Sequence, residues 1–373
     1  MEIALGDEQE FFRDTTRRFL GAECPISTVR ALATTDTGYT AEYWGSGAEL
    51  GWTCLLVAER DGGGSLTSNG VVDLTIVADA FGRHVAPGPL LPVNVVADAI
   101  SRRGSETQRS AVLPGLLAGE TVATWCGWEY ALDAAATGPL AVVTGDTVQL
   151  TGVAVLVEAA GQSAHFLVTA RAGEALMQLL VDRSTPGVEV EQLNSLDLVR
   201  RFGRVTFTDV CLPVDAIVGD PTTVVDDVER QLQVAIVVQV AEMVAAAEVT
   251  FDFTLEWTFD RYSFGRPLAS YQEIKHRMAD MKMWMEASHA LATSAARAVE
   301  NDDPDAATLV SAAKAYAGQY LPMLMQDCVQ LHGGIGLTTD HDLHLFLRRV
   351  TTNRSVFGLP VEHRRRLAVA AAA

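Results

Sequence analysis

Two stretches of this chain carry the residues best suited to gripping an anion. In the first, Arg261 precedes a Phe264-Gly265 turn and is followed by Gln272. A guanidinium held at a helix end can form a forked, charge-assisted contact with a phosphate. In the second, Gln330 is followed by Gly333, Gly334 and Gly336. Glycines there let backbone N–H groups approach an anion that side chains would hold off. Read singly, each block is equally an exposed arginine or a plain glycine turn. Glu242, in the apolar run Val234–Val249, is the one carboxylate placed to become a buried base or a packed ion-pair partner. Asp340, His341, Asp342 and His344 have the look of metal ligands, with the two histidines three apart. The run from His363 to Arg366 reads as a solvated helix end, or else as a grip on phosphates or a partner chain.

The elements around these residues change character twice. Residues 1–120 read as short helices. One runs from Glu8 to Leu20 with Phe11, Phe12, Thr15 and Phe19 near one face, and another, amphipathic, from Ser68 to Phe81 with apolar Val71, Leu74, Val77 and Ala80 spaced three apart. Residues 121–216 read as short strands at Leu140–Thr144, Val148–Thr151, Ala164–Thr169, Met177–Val181 and Arg204–Thr208, a small β-barrel or sheet domain. Residues 217–373 read as long helices over Gln231–Phe259, Tyr271–Ala298 and Ala306–Val329, with a stripe from Val237 to Leu255. The 373 residues carry 49% hydrophobic and 20% charged side chains, a globular mixture. A net charge of −19 speaks against nucleic acid or an anionic membrane as partner. Five separated cysteines without a CxxC pair point to a reducing, cytoplasmic setting. The acidic N-terminus differs from a signal peptide, and Val234–Val249 reads as too short and polar to cross a bilayer.

The Arg261–Gln272 block (RxxFGxxxxxxQ), followed by QxHGGxG at Gln330–Gly336, resembles the C-terminal signature of the acyl-CoA dehydrogenases. Gly51-Trp52, Gly82-Arg83, the segment from Leu196 to Arg200 and that from Val205 to Pro213 extend the resemblance along the chain. It implies an N-terminal helical domain, a middle β domain and a C-terminal four-helix bundle. It also implies FAD as cofactor, with Arg261, Phe264, Gln272, Gln330, Gly333 and Gly334 contacting its diphosphate and adenosine half, mainly in a neighbouring subunit. No metal is implied at Asp340–His344.

The departures from the family pattern are as informative. Active members cover the flavin ring with a TEPxxGSD-like segment and a Trp-Ile-Thr/Ser strand. Here those positions read Ala123–Tyr130 and Val148–Val153, with neither motif. The family base, a Glu, falls on Phe357 at one known location and on Ala235 at the other. Neither side chain can accept a proton, which leaves Glu242 as the weak substitute. The pattern resembles the degenerate β chain of actinobacterial α2β2 acyl-CoA dehydrogenases. That implies a catalytic acyl-CoA dehydrogenase-like partner and a CoA thioester of a steroid side chain as substrate, as in cholesterol breakdown. Two other readings stay open: a self-sufficient homotetramer using Glu242, and a flavin-free scaffold subunit.

Overall fold

The structure, a computed structural model, describes residues 5–133 and 137–372; of the acidic N-terminal stretch, Met1–Ala4 lie outside the described residues. The first helices are α1 (Asp7–Glu23), α2 (Ile26–Leu32), α3 (Ala41–Glu49), α4 (Gly70–His84), α5 (Leu90–Arg103) and α6 (Glu106–Leu117). Strands β1 (Ala123–Cys126), β2 (Leu140–Thr144), β3 (Thr147–Glu158), β4 (His165–Ala172), β5 (Ala175–Asp182), β6 (Val188–Leu193), β7 (Phe202–Pro213) and β8 (Ile217–Val218) follow. After them come α7 (Val224–Asp260), the hairpin strands β9 (Tyr262–Ser263) and β10 (Arg266–Pro267), and then α8 (Gln272–Glu300), α9 (Ala306–His332), α10 (Leu343–Ser355) and α11 (Pro360–Ala370). The order is the expected one: helices, a sheet domain, helices.

The chain gathers into two compact units. One holds the residues up to Arg30, Thr75–Ala86 and those from Ile236 onward; the other holds Ala31–Leu74 and Pro87–Ala235. Compactness thus groups the N-terminal helix with the C-terminal ones, across the boundaries that composition marks.

The second unit is built on a sheet ordered β6-β7-β3-β2-β4-β5-β8, with β1 pairing parallel to β4. Val148, Leu150, Phe166, Leu179, Val205 and Phe207 fill its core. Three strands were not anticipated. All four residues of β1 are buried, so it lacks alternation, β6 is a charged edge strand, and β8 has two residues.

The first unit buries helix faces. In α1 the buried residues are Gln9, Phe12, Thr16 and Leu20, one turn apart, so the expected stripe is corrected: Phe11 is 72% exposed. α7 is long and apolar enough, by composition alone, to cross a membrane, which corrects the reading of Val234–Val249. Most of that window is buried inside the fold, as in a core helix. Arg277 near the start of α8 pairs with Asp327 near the end of α9, so these helices run antiparallel. Pro322 inside α9 cannot donate to the Gly318 carbonyl, which instead accepts from Arg354 Nε at 3.1 Å.

Candidate functional site

Packing brings the anion-gripping residues to one end of the helical unit. The indole of Trp257, in the last turn of α7, donates to the Leu331 carbonyl at 3.2 Å and stacks on His332, with ring centroids 5.2 Å apart. The end of α7 is thereby fixed against the end of α9, and the Arg277–Asp327 pair brings the start of α8 to the same place. Arg261, Gln272, Gln330, Gly333 and Gly334 all belong to these helix ends, and all five are exposed. Phe264 and Gly265 are the two turn residues between β9 and β10, with φ of +50° and +82°, as a tight hairpin requires. That geometry holds Phe264 away from its own chain, 97% exposed.

Three observations fit this end to a dinucleotide. The Arg261 side chain makes no ion pair or hydrogen bond among the described residues. Gly333 adopts φ +65° at the end of α9. A Cβ built on Gly333 or Gly334 would meet nothing within 4 Å, so packing within the chain does not call for a missing side chain at 334. The Gln272 amide lies 2.9 Å from His276 Nε2. An unpaired guanidinium, bare glycine backbone and an exposed aromatic gathered at one end of the unit can take a diphosphate and the ring attached to it. Behind the loop, His332 donates through Nδ1 to the Cys328 carbonyl at 2.9 Å and lies 4.6 Å from the His341 ring. Burial, helped by His341, holds the His332 imidazole below its usual pKa. Asp342 pairs with Arg30 at 2.7 Å, and His341 Nδ1 accepts from the Leu343 N–H.

The positions expected for proton abstraction are taken by other work. Ala235 is buried in α7. Glu242 accepts from Arg349 at 2.5 Å through Oε1 and from Asn353 at 2.7 Å through Oε2. Arg349 also donates to the carbonyls of Val85 and Ala86. The ion-pair reading of Glu242 is therefore the observed one. Phe357, at φ +61° and 5% exposed, sits in a turn pinned from two sides. His363 Nε2 donates to its carbonyl at 2.8 Å, and the Lys314 ammonium donates to the carbonyls of Asn353 and Val356. His363 is thus buried, not part of a solvated cluster with Arg364 and Arg365; burial lowers its pKa to about 4. Lys314, Arg349 and Asn353 escaped the sequence reading, and His363 was read only as part of a solvated helix end. The only signal was a lone lysine in the otherwise apolar part of α9.

At the segment where the family pattern places the flavin-ring cover, aromatic side chains are packed within the chain. Trp125 Nε1 donates to Thr169 Oγ1 at 2.9 Å, the Tyr130 hydroxyl donates to the Pro139 carbonyl at 3.0 Å, and Trp128 is buried. Gly127 is required there, since a Cβ would lie 2.2 Å from the Thr169 carbonyl oxygen. Glu129 stays half-buried, and burial pushes its carboxyl up to about 7.

Known proteins match this arrangement along its whole length. The acyl-CoA dehydrogenase N-terminal domain matches residues 6–120, and the C-terminal domain matches residues 226–370. The acyl-CoA dehydrogenase IpdE2 of Mycolicibacterium smegmatis is 27% identical over 366 residues, which are 97% of this chain and 98% of that one. A variant of the Tcur3481-Tcur3483 steroid ACAD superposes with a TM-score of 0.87 at 27% identity, over 99% of both chains. The ChsE4-ChsE5 complex of Mycobacterium tuberculosis gives 0.88 at 23% identity, over 100% of this chain and 99% of that one, a likeness of fold. With the exposed Arg261, Phe264 and glycine loop in place, these matches identify the chain as a member of the acyl-CoA dehydrogenase family, whose proteins are FAD-dependent flavoproteins.

Proposed function

We propose that this chain is the base-less subunit of a cytoplasmic α2β2 acyl-CoA dehydrogenase. It lends Arg261, Phe264, Gln272, Gln330, Gly333 and Gly334 to an FAD whose ring and catalytic base belong to a partner chain. FAD supplies hydride acceptance when bound; this chain's residues hold its diphosphate and exclude water around it. The substrate is a CoA thioester with a steroid side chain, in keeping with the steroid ACAD among the structures this chain resembles. The observation that carries the reading is the fate of the carboxylate. Glu242 has both oxygens engaged by Arg349 and Asn353, and Phe357 fills the turn where the family places a glutamate. A desolvated base must be free to accept a proton, and Glu242 is not. The self-sufficient reading loses its support there, while the unpaired Arg261 argues against a flavin-free scaffold. The test is to co-purify the chain with its partner and measure flavin per polypeptide. One FAD for every two chains is expected. One per chain would overturn the shared site, and none would restore the scaffold.

A further inference from the structure

The segment 333–342 joins α9 to α10 and carries the two glycines assigned to the diphosphate. From Gly333 to Asp340 only Gly336 is buried. A Cβ on Gly333 or Gly334 would meet nothing within 4 Å, so packing inside the chain does not set where their backbone N–H groups point. A segment with so few buried contacts opens locally at low cost. An anion cradle, though, binds well only when its donors are held in place beforehand. The loop must therefore be fixed from its two ends.

His332 fixes the near end. Its Nδ1 donates to the Cys328 carbonyl at 2.9 Å, and its ring stacks on Trp257. The far end is fixed by Arg30, in the last turn of α2 and 312 positions from Asp342. Arg30 donates through Nη1 to the Thr339 carbonyl at 2.5 Å. It also donates to Asp342 Oδ1, at 2.7 Å through Nη2 and 3.2 Å through Nε, and Nη2 lies 3.5 Å from the Asp340 carbonyl. A planar guanidinium can hold a carboxylate and a neighbouring carbonyl at once, which an ammonium cannot. The His341 ring packs 4.6 Å from His332, so the far end is tied to the near one. Val29, beside Arg30, is fully buried and anchors α2. Arg30 and the loop belong to the same compact unit. Because Asp342 neutralises the guanidinium, what Arg30 gives the loop is place rather than charge.

We propose that Arg30 is a positioning residue for the cofactor: from α2 it clamps residues 339–342 and so holds the Gly333–Gly334 backbone ready for the FAD diphosphate. This rests on the reading that the glycine loop grips FAD.

Two measurements separate the clamp from that reading. Hydrogen exchange on the full chain without added FAD reports the loop, and FAD titration of the complex with its partner reports the grip. In Arg30→Met the amides of 333–345 should exchange faster, while those in the buried middle of α9 keep the wild-type rate. FAD affinity should fall roughly three- to tenfold, the worth of about one hydrogen bond. Arg30→Lys should recover part of both. Asp342→Ala distinguishes place from charge. Removing a carboxylate beside an anion site would tighten FAD if only the field mattered, whereas loss of the clamp weakens it. The double variant should bind FAD no more weakly than Arg30→Met alone, as expected of two halves of one contact. Arg18→Met, which removes an exposed cation that bonds only Thr15 among the described residues, should leave FAD affinity unchanged. Unchanged exchange in Arg30→Met, or tighter FAD in Asp342→Ala, would overturn the proposal. Faster exchange with unchanged FAD affinity would overturn it too, and would place the failure in the FAD reading of the loop rather than in the clamp.

Discussion

At the scale of single residues, the buried polar cluster of the helical unit decides between a catalytic and a structural glutamate. Glu242, Arg349 and Asn353 form a linked set: each carboxylate oxygen has a donor, and the arginine also donates to the Val85 and Ala86 carbonyls. Such a pair is weak evidence of net stabilisation, since desolvating both charges offsets their attraction. Removing one partner is another matter. Arg349→Met should strand a buried carboxylate and cost about 3–5 kcal/mol, read from the urea midpoint. Glu242→Gln keeps the shape and one acceptor, so its cost should be smaller. Turnover of the assembled enzyme should stay within a few-fold, because a general base is worth roughly 10²–10⁴ in rate. A hundredfold loss in Glu242→Gln, with assembly intact, would make Glu242 the base after all.

At the scale of elements, close helix approach depends on particular small residues. A Cβ on Gly82 of α4 would lie 2.2 Å from the Glu242 carbonyl oxygen and 2.9 Å from Ala245 Cβ, so the two backbones touch there. Gly82→Ala should cost about 1–3 kcal/mol through overpacking, seen as a lower thermal midpoint. Gly21→Ala in α1, where the nearest atom is 3.8 Å away on His84, should be neutral or stabilising by up to about 1 kcal/mol. Equal effects from both would mean that the α4–α7 contact is not tight. The same contrast explains what the sequence made legible. Long apolar helices and alternating strands announce themselves through periodicity, so α7, α8, α9 and five strands lie close to where the residues suggest. β1, buried on both faces, and β8, two residues long, have no period to read. Arg261, Phe264 and the glycine loop were legible as motifs because they are local. Lys314, Arg349 and His363 were not, because what gives them meaning is contact between helices distant in sequence, such as His363 with the Phe357 carbonyl.

At the scale of the whole molecule, several of the most exposed apolar residues lie where the proposed cofactor and partner meet this chain. Phe259, Tyr262, Phe264 and Leu337 are all more than 60% exposed, and they flank Arg261 at the ends of α7 and α9. Contiguous exposed hydrophobic surface marks an interaction site. Arg261 lies among these residues, and its guanidinium makes no ion pair or hydrogen bond among the described residues, which leaves it available to the proposed diphosphate. A hydrogen bond to a charged group contributes about 1.5–3 kcal/mol, so Arg261→Ala should weaken FAD retention by about ten- to a hundredfold. Arg261→Lys should recover only part of that, since an ammonium cannot form the forked contact. A cofactor bound between chains also links them by mass action. The same Arg261→Ala change should therefore raise the protein concentration at which the heteromer dissociates, and added FAD should reverse that rise. Flavin retention measured by ultrafiltration and assembly measured by sedimentation should move together. If both stay at the wild-type level in Arg261→Ala, the guanidinium is a surface charge and the diphosphate is held elsewhere.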